Sequence, residues 1–290
     1  MHNFIRQVRA ILTLCALLMA LLTSTRTSAD EPARVYSWSV VPQFTGLAVH
    51  RDWSPIIEYL NTHTPYRFNL RLYKSIPEFE QGFLAGETDF SYMNPYHAVM
   101  AKRAQGYRPI IRDGERQLTG ILVVRKDSAY QQVQDLNEAT IAFASPNAFA
   151  AALYMRALLT EKENITFTPY YAKTHTNAYR QVLLGKTAAA GGVYRTLKKE
   201  RTEVTDNLRV IYTTPSTPSH PLTANPRVPT EVITAVQAHF ALMYADSTYQ
   251  PLLNAILIPE PIEADYDRDY RGLEELHLES YVGAPEDDLP

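Results

Sequence analysis

Cysteine is almost absent from this 290-residue sequence, and the only one, Cys15, lies in the first apolar stretch. Such a chain builds no disulfide framework. Once that stretch is removed, it also has no cysteine nucleophile and no thiolate metal site. No run of lysine and arginine occurs, which argues against the basic face or stripe of a nucleic-acid-binding domain. No apolar run reaches the roughly 18 residues of a membrane span, and there is no internal repeat or low-complexity segment. The common catalytic signatures are missing too. There is no G-x-S-x-G elbow and no H-E-x-x-H pair. Gly185-Lys186-Thr187 imitates the end of a phosphate-binding loop, but Arg180 stands where the first glycine belongs, and the triplet follows a helix instead of opening one. Asp265, Asp267 and Asp269 have calcium-loop spacing without the glycine such a loop needs at its sixth position. We therefore expect no enzyme activity, no cofactor and no metal.

What is present is an ordinary globular composition, 46% hydrophobic and 20% charged, long enough for two lobes. The beginning reads as an export leader over residues 1–29. Arg6 and Arg9 precede an uncharged run, Ile11 to Leu22, about as long as a secretory apolar core, and Thr27-Ser28-Ala29 supplies small residues before Asp30. An uncleaved anchor is the alternative. Cleavage after Ala29 would remove Arg6, Arg9 and Arg26, leaving 25 basic against 31 acidic residues and a net charge of −6. The expected product is exported to the periplasm.

The mature chain alternates strand and helix patterns. Residues 34–41 are β-branched and aromatic, and 67–73 alternate Phe68, Leu70 and Leu72 against polar neighbours. Between them Trp53, Ile56, Ile57 and Leu60 recur at helical spacing. Ser75-Ile76-Pro77-Glu78 is a capping-box start. Further strands are expected over 89–93, 109–112, 119–124, 140–144, 167–171, 188–193 and 208–213, with helices over 95–105, 147–160 and 174–184. Residues 214–229 read as proline-rich turns, followed by a helix carrying Val232, Val236, Phe240 and Met243. This order predicts an α/β fold of two lobes, each a mostly parallel sheet covered by helices, with a ligand cleft between them. The crossings are expected near 125–128 and 213–220. Lobe 1 would then comprise 30–125 and 216–284, lobe 2 would be the insertion 126–215, and 285–290 would be a frayed tail.

Three strand-to-helix turns would converge on that cleft: 89–97 (DFSYMNPYH), 144–151 (ASPNAFAA) and 174–177 (THTN). A helix starting at such a turn directs free N–H groups and its positive dipole end toward a bound anion. Ordinary capping by Asn147 and Thr174 is the competing explanation. His175, titrating near neutrality, would hold an anion better when protonated; a neutral imidazole hydrogen-bonded in a helix cap is the alternative.

On these segments, together with VVPQ near the start, VVRKDS at 123–128 and the run from Thr174 to Leu197, the chain resembles the phosphonate/phosphite/phosphate-type periplasmic solute-binding proteins of ABC importers. The resemblance spans roughly residues 34 to 275. It implies the type II periplasmic-binding-protein fold and capture of a small anion by lobe closure. The expected partner is an ABC permease, or alternatively the periplasmic domain of a sensor kinase. A monomer is expected. Carried over position by position, the resemblance implies ligand contacts from Gln43, Phe44, Tyr92, Met93, Asn94, Tyr96, Asn147, Ala148, Phe149, His175, Asn177 and Gly192. Ala148-Phe149-Ala150 falls where phosphonate binders carry hydroxyls, so fewer oxyanion donors and a more apolar wall are expected.

Overall fold

Two β-sheets organise the computed structural model, which describes residues 34–283. The leader expected over 1–29 and the frayed tail expected over 285–290 lie outside the described residues. The first sheet has the order β11-β4-β10-β3-β1-β2, built from β1 (Val35–Val40), β2 (Arg67–Arg71), β3 (Phe90–Tyr92), β4 (Arg108–Asp113), β10 (Pro221–Ala224) and β11 (Pro261–Glu263). The second has the order β7-β6-β8-β5-β9, from β5 (Gly120–Arg125), β6 (Thr140–Phe143), β7 (Thr168–Tyr171), β8 (Ala189–Val193) and β9 (Leu208–Thr213). Strands β1 to β4 run one way, with β10 and β11 reversed. In the second sheet only β5 is reversed. Both sheets are therefore mixed: three of the five pairings in the first and two of the four in the second are antiparallel, where the alternating pattern predicts mostly parallel sheets, because each chain crossing inserts a reversed strand (β10 and β5) between the parallel ones.

Helices follow the capping chemistry of the sequence. Helix α1 (Gly46–His63) buries Trp53, Ile56, Ile57 and Leu60 on one face. Helix α2 (Ile76–Leu84) starts at Ser75, whose hydroxyl accepts from the Glu78 amide. Helix α3 (Pro95–Gln105) starts at Asn94, whose side chain accepts from the His97 amide at 2.7 Å, and stops at Gly106 in the left-handed region. Against the first sheet, Trp38 stacks on Phe90 with centroids 5.1 Å apart.

Three places depart from the sequence reading. The segment 119–124 was expected in the first lobe, but β5 is hydrogen-bonded to β8 and β9 of the second sheet. The chain therefore crosses at Leu118 and Thr119, before the expected boundary at 125. Its apolar run shows only that the strand is buried; which sheet buries it depends on long-range pairing. The return crossing runs beside the first, and Leu118 and Thr217 exchange backbone hydrogen bonds of 2.8 and 2.9 Å. Second, β10 lies fully buried in the middle of the first sheet, within the stretch read as turns. Pro221 occupies its first position, where a missing N–H is tolerated, and the Pro221 carbonyl accepts from Met93 N at 3.0 Å.

Third, the helix expected over 147–160 begins later and is wound loosely. A π turn (Phe149–Leu153) leads into α4 (Tyr154–Ala157), and a second π turn (Leu158–Lys162) follows. Glycines in the sheet let this helix approach closely. A Cβ at Gly120 would lie 2.0 Å from the Ala150 carbonyl oxygen, and one at Gly191 the same distance from that of Ala151.

The C-terminal turns Arg271–Leu276 and Leu278–Tyr281 touch both sides. Arg103 of α3 pairs with Glu274 and Glu279, while the Tyr281 hydroxyl donates to Glu161 and Gly283 N to the Asn147 side chain.

Candidate ligand-binding site between the sheets

The two sheets meet at the C-terminal ends of their parallel strands, where open α/β sheets place ligands. A cavity of about 20 Å³ remains there, space for one or two water molecules. From the first-sheet side it is lined by Val41 and Gln43 after β1, Ile76 at the start of α2, Asn94 at the cap of α3, and His220 before β10. The second-sheet side contributes Ala148 to Ala151, His175 and Val193, and Leu118 closes it from the crossing. None of the lining residues is charged at neutral pH. Its polar groups are two amides and two imidazoles.

Two helix starts face this space. The first turn at Phe149, Ala150 and Ala151 carries N–H groups for which no helical carbonyl precedes. The second belongs to α5 (His175–Leu183), capped by Thr174, whose hydroxyl accepts from Asn177 N at 3.1 Å. His175 is buried, and its Nδ1 has no partner in the protein. Burial pushes its pKa down to about 4, so the ring is neutral near pH 7 and offers a polar donor without charge. Of the two readings of His175, the neutral imidazole is the one that fits this burial. Burial, and after it the charge of Arg195, likewise holds the His220 pKa well below its ordinary value. The His220 ring stacks on Tyr92 with centroids 5.7 Å apart.

Of the twelve positions expected to touch a ligand, Gln43, Asn94, Ala148, Phe149 and His175 line the cavity. The other seven are arranged around it. Tyr92 is buried between His220 and Trp53, and Met93 is buried beside it. Tyr96 stacks almost parallel on Phe149, which in turn stacks on Tyr154; centroids are 6.0 and 5.8 Å apart. The Asn147 side chain donates to Glu80 Oε2 at 2.9 Å. Glu80 Oε1 is 2.7 Å from His97 Nε2, and Asn94 Nδ2 donates to the Asn147 carbonyl at 3.1 Å. Asn177 donates to the Ala172 carbonyl, and Phe44 lies under the Lys199 ammonium at the cleft edge. Gly192 faces away, against the Tyr179 hydroxyl, because successive residues of β8 point to opposite faces.

These contacts hold the two sides together directly. A buried ion pair adds to them: Arg195, in α6 (Tyr194–Lys198), donates to Asp113 Oδ2 at 2.6 Å and to the Leu257 carbonyl at 2.9 Å. Ala150 and Ala151 belong to the 144–151 turn expected at the cleft, whereas Val41, Ile76, Leu118, Val193 and His220 were not foreseen as lining. Only His220 left a trace in the sequence, as a lone histidine at the return crossing.

The profile of a family described as the periplasmic substrate-binding protein of phosphonate ABC transporters matches residues 38–270. No curated protein sequence matches the chain. Among solved structures, the fold is similar to a binding-protein component of an ABC phosphonate transporter from Pseudomonas aeruginosa, with TM-score 0.75 and 15% identity over 84% of this chain and 86% of that one. It is equally similar, at TM-score 0.75 and 14% identity over 83% and 96%, to PhnD1 from Prochlorococcus marinus in complex with methylphosphonate. ArgBP from T. maritima shares the fold at TM-score 0.54 and 12% identity over 77% and 95%.

Proposed function

The chain belongs to the family of periplasmic substrate-binding proteins of phosphonate ABC transporters, and from that premise we propose that it binds a small phosphonate-like oxyanion of low charge in the cavity between its sheets. The family role is that of the solute-binding component of an importer, with a permease as its partner. Export and removal of residues 1–29 would deliver the protein to the periplasm.

The observation that carries the ligand reading is the character of the cavity. Helix N–H groups and neutral imidazoles converge there, and no lysine or arginine lines it. Such donors suit an oxyanion with few charges and few atoms, and a small methyl or hydrogen substituent would rest on Val41, Ile76 and Leu118. Each charge-assisted hydrogen bond contributes about 1.5–3 kcal/mol, so the missing hydroxyls at Ala148 and Ala150 shift affinity toward the weak end. Binding requires the lobes to part and reclose, with ligand contacts on both sides stabilising the closed arrangement.

Calorimetric titration of residues 30–290 with methylphosphonate, phosphite and phosphate tests this. Saturable binding of the singly substituted anions, weakened at least tenfold by Asn94→Ala, is the expected result. Tightest binding of a bulky or cationic compound, with none for these anions, overturns it.

A further inference from the structure

A second cavity, about 650 Å³, opens at the flank of the sheet junction, separate from the small central one. Four cations line it: Arg116 from the first crossing, Arg195 and Lys198 from α6, and Lys199 just beyond. No acidic residue is among its lining. Arg195 is committed to Asp113, and Arg116 lies 3.0 Å from exposed Glu115. Lys199 reaches Asp52 only at 3.9 Å, and among the described residues Lys198 has no carboxylate within ion-pair distance. Exposed Tyr194 and half-buried Leu257 form an apolar wall beside these charges. The net charge of the whole chain is −3, so this concentration of positive groups runs against the overall balance.

We propose that this flank cavity is a binding site for a small polyanion carrying two or more clustered phosphoryl or carboxylate groups. The volume falls in the range of small-molecule sites, roughly 300–1,000 Å³. Single-sign charge with low-dielectric walls concentrates counter-ions, and a ligand with clustered charges gains from several cations at once. Lys198 is the free end of the constellation and Arg116 is paired only with exposed Glu115, while Arg195 and Lys199 are held in place by the Leu257 and Ala255 carbonyls across the junction. The site thus draws on both sides of the fold, so its shape depends on the closed arrangement.

The test is calorimetric titration with inorganic tripolyphosphate at low ionic strength. The expected result is saturable binding of one equivalent, weakened at least tenfold in the Arg116→Glu, Lys198→Glu double variant and severalfold in Lys198→Gln. Both side chains are exposed, so an unchanged melting midpoint without ligand checks that the variants remain folded. His175→Ala, in the central cavity, is expected to leave tripolyphosphate binding unchanged, which separates this site from the phosphonate reading. Absence of saturable binding by the unmodified chain overturns the proposal, as does binding lost in His175→Ala but retained in the double variant.

Discussion

Phe149 carries a consequence that can be measured on stability and on ligand affinity in the same variants. Its ring is 1% exposed and is sandwiched between Tyr96, on α3 beside the first sheet, and Tyr154, on its own helix. Removing a fully buried phenyl ring costs about 3–5 kcal/mol of folding stability, because the transfer term and the residual cavity add. The stacking share is smaller, about 0.5–1.5 kcal/mol per aromatic pair beyond burial. Only the Tyr96 pair spans the junction, so only that share acts on the balance between open and closed forms. A double-mutant cycle of Tyr96→Ala and Phe149→Ala, read by guanidinium unfolding, should give a coupling of about 0.5–1.5 kcal/mol. Each single variant should also weaken methylphosphonate about two- to tenfold, the same energy expressed as affinity. Single effects that simply add, within about 0.3 kcal/mol, would refute the assignment of the stack as a link between lobes.

Three further outcomes are expected. Arg195→Met leaves the fully buried Asp113 carboxylate without its cation, which should lower unfolding free energy by about 3–5 kcal/mol; a midpoint within a degree of the parent would show the pair to be dispensable. The folded-state pKa of His175, about 4, lies below its ordinary 6.5, so the unfolded chain takes up a proton that the folded chain refuses. Stability from this group is therefore full above pH 6.5 and falls by about 3 kcal/mol on acidification to pH 4. His175→Gln should fall less steeply over that window, and an identical slope would show that the ring is already solvated. Gly191→Ala places a methyl group against the Ala151 carbonyl, and overpacking of this kind should cost about 1–3 kcal/mol in urea unfolding.

The sequence announced most of the architecture through local signals. The alternation around Phe68, the helical spacing of Trp53 to Leu60, and the caps at Ser75 and Thr174 are all properties of short segments, and each appears in the fold as read, whereas Asn147 does not cap and Asn94 does. What stayed hidden depends on partners distant in sequence. Nothing within Gly120–Arg125 states that β8 and β9 will flank it, and nothing within Pro221–Ala224 states that β3 and β4 will. The site divides in the same way. Turn chemistry and the family resemblance led to Asn94, Phe149 and His175, whereas Leu118 and Val193 reach the cavity through the packing of the lobes and look like any core residue in the sequence. For His175 the sequence left a neutral and a protonated imidazole both open, and burial, which is set by the whole fold, decides for the neutral one.

The π turn at Phe149–Leu153 differs from an α-helix by one extra residue within the turn. That extra residue sets Phe149 and Tyr154, five positions apart, on one face, where an α-helix brings together residues three or four apart. Removing Ala151 or Ala152 would restore α-helical winding with the two rings still on one face, and would take one alanine and its amide out of the turn that lines the cavity. The chemistry presented to a ligand is therefore set by the length of this segment as well as by its letters.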